Sequence, residues 1–276
     1  MWYNRIVKDE NTLIFIKNHR DFFCKKNNEC VFDRILKRQY KEGCSFDKIP
    51  VKLDHSSAKL FDLYDCKNIV GTISLKFILE IFLSEKSRKN IIVVKNLENP
   101  ISLGYHMNIL AEQNYMVVAF QTTTPVMAYG DIFKKIVGNN IISFAFPYFR
   151  KNIVIDCSLG EISVREIIKE KDSKKSVLTK NGVINNRGEY INDISEIISS
   201  GIIKSIGGYK GSAIALGMQI ILSGLTGTVH KNESDALDIR GENSLLFFCM
   251  HVDSEIREHI NKQIEDLIYK GVYIPG

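Results

Sequence analysis

Between residues 11 and 43 the apolar side chains recur three and four positions apart, as Leu13, Ile16, Phe22 and Phe23 on one stripe and Val31, Phe32, Ile35 and Leu36 on another. That period belongs to the α-helix, so two amphipathic helices are predicted. Gly43 is placed to close the second, because glycine takes the left-handed conformation of a helix C-cap without a Cβ penalty. Residues 49–64 loosen into alternation (Val51, Leu53, then Leu60, Leu63), which predicts short strands, and residues 75–83 return to a helical face through Leu75, Ile78, Leu79, Phe82 and Leu83. Residues 90–95 are a short β-branched run of the kind that forms a buried strand, and a helix is predicted to follow through about Asn114. Residues 115–120 predict a second buried strand with Gln121-Thr-Thr-Thr-Pro125 as its polar exit; residues 141–146, 152–157 and 244–250 predict three more, and residues 256–269 an amphipathic helix. Strand and helix alternate, so the class is α/β.

Residues 166–200 are the most polar part, with the charge run Lys169-Glu-Lys-Asp-Ser-Lys-Lys175 predicted as a solvated helix end or loop and Asn181-Gly182 and Asn186-Arg-Gly188 as turns. The stretch after them stands out. Gly207, Gly208 and Gly211 fall within five residues around Lys210, and a small-residue apolar run follows to Gly227. The run predicts a helix packed closely on all sides. Glycines ahead of a helix let a ligand approach the backbone, and free N–H groups at a helix start attract anions. A glycine turn feeding a buried helix accounts for the same residues without a ligand.

Length and composition narrow the picture only a little. The chain has 276 residues, 45% of them hydrophobic, enough for one large domain or two small ones. A net charge of +5, spread along the chain, supports a weak preference for anions and no nucleic-acid partner, since no aromatic–basic motif accompanies it. The six cysteines form no CxxC pair, which fits reduced thiols and a cytoplasmic location, with no metal site. Residues 212–226 are shorter than the ~20 a membrane span needs and contain Gln219, so no membrane partner is expected. Neither GxGxxG after a strand, nor GxxxxGK[ST], GxSxG or HExxH occurs.

Taken in order, the segments do resemble a family. Ile91-Ile-Val-Val-Lys-Asn96 with Gly104-Tyr105 is similar to its "RNSNHFG…GYY" stretch, and Thr122-Thr-Thr-Pro-Val with Tyr129-Gly130 to its "TN…P.GG" loop. Gly138-Asn-Asn-Ile-Ile-Ser-Phe-Ala-Phe-Pro147 resembles "GTNPIAFAxP", Gly207-Gly-Tyr-Lys-Gly211 through Gly227 resembles "GGYKG…LSGLLTG", and Val272-Tyr-Ile-Pro-Gly276 resembles "R-[IV]-P-G-E". These belong to the type-2 malate/L-lactate dehydrogenases, the non-Rossmann NAD(P)-dependent oxidoreductases that include sulfolactate dehydrogenase and piperideine/pyrroline-2-carboxylate reductase. The resemblance runs from about Gly71 to the end. It implies a sulfolactate-dehydrogenase-like fold: a central mixed sheet flanked by helices, with residues 1–70 a helical, substrate-side part, 71–243 a cofactor-binding part, and 244–276 a strand and helix completing it. It also implies a homodimer, a small-molecule substrate and NADPH or NADH as cofactor.

The departures bear on function. Asn99 stands where the family has the histidine of "NHFG", the early "SHG" histidine has no match, with Asn27-Asn28-Glu29 nearest, and Arg165-Glu166 replaces the Gly-Lys that follows "DxATS". Asparagine polarises a carbonyl by hydrogen bonding but delivers no proton, and general acid catalysis is typically worth ~10²–10⁴ in rate. His106 is the candidate replacement donor, with a helix-packing histidine as the alternative. By the same resemblance Arg34 and Thr123 are the candidate substrate contacts, and Thr122, Gly138, Asn139, Asp156, Gly208, Lys210 and Gly211 the candidate cofactor contacts. The expected function is NAD(P)H-dependent reduction of a small 2-oxo acid or cyclic imine in a specialised biosynthetic role, an imine that arrives protonated needing no donor. A family member that has lost redox chemistry and serves as a binding partner, or in a non-redox step, is the alternative.

Overall fold

The computed structural model describes residues 2–24, 29–55, 59–85, 89–229 and 243–275. The chain opens with two helices, α1 (Glu10–Cys24) and α2 (Glu29–Lys41), followed by the short strands β1 (Val51–Leu53) and β2 (Asp62–Asp65). Gly43 closes α2 at φ +89°, as its position predicts. Next come α3 (Gly71–Ser84), β3 (Ile91–Leu97), α4 (Leu103–Glu112) and β4 (Tyr115–Gln121). A hairpin of β5 (Pro125–Tyr129) and β6 (Ile132–Gly138) leads to β7 (Ile141–Phe146) and β8 (Ile153–Ser158). The remainder is α5 (Val164–Asp172), β9 (Val183–Ile184), α6 (Ile194–Ser200), β10 (Ile202–Ile203), α7 (Tyr209–Thr226), β11 (Asn243–His251) and α8 (Ser254–Tyr269).

Seven strands form one mixed sheet in the order β1-β2-β3-β11-β4-β7-β8, in which only β2 and β3 run parallel. The late strand β11 therefore lies in the middle, between β3 and β4, and the early strand β2 joins the same sheet. Alternation sends successive side chains to opposite faces. Ile92 and Val94 of β3 pack beneath α3 and α4 with Phe247, while Val93 between them joins Phe61, Leu225 and Leu246 on the other face. A second sheet, β6-β5-β10-β9, shares its core with α1, α2, α5 and α7. Its hairpin lies where sequence pattern predicted only a polar strand exit.

The helix α7 corrects a second expectation. Ala215, Met218 and Leu222 are buried, but Ile214, Ile220 and Ile221 are 51%, 63% and 51% exposed. Only one side of α7 meets the two sheets, so composition overstated its burial: an apolar sequence fixes what a helix can bury, and the neighbouring elements fix what it does. Among the described residues no helix is long and apolar enough to cross a membrane.

Candidate active site

A cleft of about 400 Å³ opens beyond the carboxyl ends of β3, β4 and β8, where the chain leaves the sheet and turns. Strand ends in α/β folds are where ligands bind, because loops there diverge and leave a crevice. The cleft is bordered by Asn99 and Ile101 after β3, Gln121 and Thr123 at the end of β4, Asn139 before β7, Asp156 and Cys157 on β8, Glu161, Ser163, Arg165 and Glu166 at the start of α5, and Asn243 opening β11.

The wall after β3 is strained. Ile101 adopts φ +71°, a region that β-branched residues avoid. Its neighbours hold it there. Its N–H donates to Asn99 Oδ1 at 2.7 Å and its carbonyl accepts from Arg165 Nη2 at 2.7 Å. Gln39 Nε2 donates to the Asn99 carbonyl at 2.7 Å and Gln39 Oε1 accepts from the Gly71 N–H, tying the turn to α2 and α3. Gly71 is glycine for this reason: a Cβ there would meet Glu98 O at 2.2 Å. With Oδ1 engaged, Asn99 offers a ligand its Nδ2 hydrogens.

Arg165 is the cation on the cleft. Its guanidinium lies 4.7 Å over the Phe23 ring and spends one donor on Ile101. Burial lowers its pKa and the carboxylates of Asp156 and Glu166 raise it, and an arginine stays charged through such shifts. Its position follows from the α5 capping box: Ser163 Oγ accepts from the Glu166 N–H at 3.1 Å, and Glu166 Oε2 accepts from the Ser163 N–H at 3.1 Å. Burial raises the pKa of Glu166, but hydrogen bonds from Lys180 and Ser163 outweigh it and leave the pKa below the ordinary value. Asp156 Oδ2 accepts from the Gly104 N–H at 3.0 Å, locking α4 to β8.

The floor is made of amides and hydroxyls. Thr123 Oγ1 donates to Asn139 Oδ1 at 2.8 Å, and Asn140 Oδ1 accepts from the Thr123 N–H at 3.0 Å while its Nδ2 donates to Ala215 O. Gly138 lies beneath this contact, where a Cβ would meet Thr123 O at 2.3 Å.

Of the residues expected from sequence, Asn99, Thr123, Asn139 and Asp156 are brought together on the cleft. His106 is not: it is fully buried, its Nδ1 donates to Ser102 O, and its Nε2 meets Thr72 Oγ1, which also meets Nδ1 of the equally buried His19. Burial pushes the His106 pKa down to about 4, so at neutral pH the ring is an uncharged member of a packed cluster, and no histidine is among the described residues that line the cleft. Arg34 is exposed on α2 and ion-paired to Asp172, away from the cleft. Thr122 is buried and exchanges hydrogen bonds with the Ser244 backbone. Gly208 lines a separate hollow with Tyr129, Lys204 and Tyr209; Lys210 is exposed; Gly211 lets α7 start against its own turn, where a Cβ would meet Ile206 O at 2.1 Å. Sequence reasoning missed Arg165 and Gln121 as cleft residues. The first was visible as a departure from the family pattern, the second only as the polar end of a strand.

The malate/L-lactate dehydrogenase family profile matches residues 34–271. The malate dehydrogenase of Pyrococcus horikoshii is 24% identical over 217 residues, covering 72% of this chain and 58% of that one, and the (2R)-3-sulfolactate dehydrogenase (NADP(+)) of Chromohalobacter salexigens is 24% identical over 183 residues, covering 63% and 54%. The chain thus spans little more than half the length of these curated relatives. Among solved structures, the delta1-piperideine-2-carboxylate reductase of Pseudomonas syringae superposes with a TM-score of 0.69 at 17% identity over 85% of this chain and 74% of its own. The sulfolactate dehydrogenase of Methanocaldococcus jannaschii does so with 0.66 at 19% identity over 85% and 70%. At these identities the likeness speaks for the fold, and it agrees with the mixed α/β architecture. The fold and a profile match over most of the sequence together place this chain in the malate/L-lactate dehydrogenase family.

Proposed function

We propose that this protein is an NAD(P)H-dependent reductase of a small 2-oxo acid or cyclic imine bearing a carboxylate, in a specialised biosynthetic role. The observation that carries the proposal is the cleft itself: strand-end amides and hydroxyls face a single arginine with donors to spare. A nicotinamide nucleotide suits the floor, where the buried Gln121 Oε1 has no hydrogen-bond partner among the described residues and calls for a donor from a ligand. When bound, that nucleotide supplies the hydride.

The chain's own residues supply the rest. Arg165 takes the substrate carboxylate in place of Arg34, since planar N–H forks match carboxylates. Asn99 Nδ2 donates to the carbonyl oxygen of a 2-oxo acid and orients it. Its own Oδ1 stays fixed on Ile101, so the group is pre-aimed. With no imidazole among the described residues that line the cleft, an imine that arrives protonated, and so needs neither a proton nor the Asn99 donor, is the substrate such a cleft handles best. Gly208 and Lys210 would reach only the distal part of a dinucleotide. The homodimer implied by the family is supported by the exposed stripe of Ile214, Ile220 and Ile221 on α7, an apolar strip that a second copy would cover.

The absence of histidine among the described cleft residues also supports a second reading, a family member without redox chemistry. Titration with NADH and NADPH, following nicotinamide fluorescence, separates the two. Micromolar binding, together with a fall of about a hundredfold in kcat/KM for Arg165→Met carried mainly by KM, is the expected result, since hydrogen bonds to charged groups contribute about 1.5–3 kcal/mol. Binding of neither nucleotide at millimolar concentration sinks the reductase reading.

A further inference from the structure

Gln121 ends β4 in the middle of the large sheet, opposite Ile141 of β7 on one side and Leu245 of β11 on the other. Two residues before those partners lie Asn139, just ahead of β7, and Asn243, which opens β11; like Gln121 they border the cleft and are more than nine-tenths buried. Diagonal neighbours on adjacent strands stand about 7–8 Å apart, within reach of one small planar group. Three primary amides therefore gather at the floor. Two of them are in defined states. Asn139 Oδ1 already accepts from Thr123 Oγ1, which leaves its Nδ2 hydrogens as the donors on offer. Gln121 is 2% exposed and its Oε1 is buried without a partner among the described residues. A buried acceptor left unmade costs about 1–3 kcal/mol, so its retention at a cleft calls for a ligand that satisfies it.

One acceptor and one donor on the same cleft floor are the complement of a primary carboxamide, whose N–H₂ donates and whose C=O accepts. We infer that Gln121 and Asn139 form the seat of the nicotinamide carboxamide, making Gln121 the residue by which this chain requires an amide rather than a ketone on the cofactor ring. The inference rests on the nucleotide-dependent reading above. It assigns Gln121 a binding role at the expense of the unliganded fold.

The test pairs NADH and NADPH with their reduced 3-acetylpyridine counterparts, in which a methyl group replaces the amide N–H₂, and compares wild type with Gln121→Met by calorimetric titration. Wild type is expected to bind the carboxamide nucleotides about tenfold more tightly, the worth of one hydrogen bond, and Gln121→Met to bind both forms alike. The melting temperature of the unliganded variant is expected to equal or exceed that of wild type, because an apolar side chain of similar volume replaces an unsatisfied acceptor. An unchanged tenfold preference in Gln121→Met overturns the inference and points to a donor on the substrate as the partner of Oε1. Equal binding of both forms by wild type, or a variant that melts several degrees lower, overturns it too. Absence of binding by every nucleotide overturns the reductase reading along with it, an outcome distinct from the others.

Discussion

Two of the turns that carry backbone at positive φ solve the same problem in opposite ways. The turn before α7 uses Gly207 and Gly208 at φ +61° and +62°, where a Cβ would meet nothing within 4 Å. The turn after β3 puts Ile101 at φ +71° and holds it with Asn99, Arg165, Gln39 and a close approach from Gly71. The first turn is cheap, is legible in sequence, and lies outside the main cleft. The second costs about 1–2 kcal/mol in backbone strain, has no glycine to announce it, and forms the cleft wall. Strain kept in place by surrounding contacts marks a position whose geometry matters, whereas glycine freedom alone does not.

The comparison breaks most sharply at Gly71. A Cβ at 2.2 Å from Glu98 O has no flexible side chain to push aside, so Gly71→Ala is expected to destabilise by roughly 3 kcal/mol. A melting temperature within a degree of wild type would show that the β3 turn moves freely. Ile101→Gly sets two effects against each other. Relief of strain returns about 1–2 kcal/mol, but removing a buried branched side chain costs about 2–5, so a net loss of about 2 kcal/mol is expected from denaturant titration; a net gain would mean that strain outweighs packing here.

Acid sharpens the contrast, because the β3 turn continues through Ser102 to His106 whereas the glycine turn involves no buried histidine. Burial holds His106 near pKa about 4 and His19 well below its usual value. Between pH about 6.5 and 4 the unfolded chain therefore binds protons that the folded one does not, so stability is full above the histidine's ordinary pKa and falls as pH drops through that window. Arg165 is the charged group facing His19, and Thr72, Tyr105 and Ser102 are the other polar groups packed on the pair. Denaturation midpoints at pH 7.5 and 5 should differ less in His106→Gln than in wild type.

At the glycine turn the expected effects are smaller. Gly208→Ala meets open space but retains an unfavourable φ, with an expected cost of about 1–2 kcal/mol. Lys210→Ala should leave the melting temperature within a degree of wild type, an exposed side chain contributing less than about 0.5 kcal/mol. A larger shift in the absence of ligand would show that α7 leans on this lysine.

Local periodicity made most of the elements legible. The two opening helices, the strands around Val93, Val117 and Ile155, and the last strand and helix all follow from period and β-branching, because those patterns reflect which face a segment buries. The β5–β6 hairpin escaped notice because Pro125-Val-Met-Ala-Tyr129 is short and apolar on both faces, leaving no alternation to read. At the site, ordered motifs pointed to Asn99, Thr123, Asn139 and Asp156, and the motif-neighbouring His106 and Arg34 misled because nearness in sequence to a strand end does not set which way a helix faces.

What the sequence determined by itself was the family, the main helices and strands of the large sheet, and that asparagine stands at position 99, all of them properties of residue identity and spacing. Only the tertiary structure decided that Arg165 and Gln121 reach the cleft, that His106 does not, and that one side of α7 remains uncovered. Those outcomes depend on contacts between residues far apart in the chain, such as Arg165 with Ile101 and Gln39 with Asn99, which no local pattern encodes.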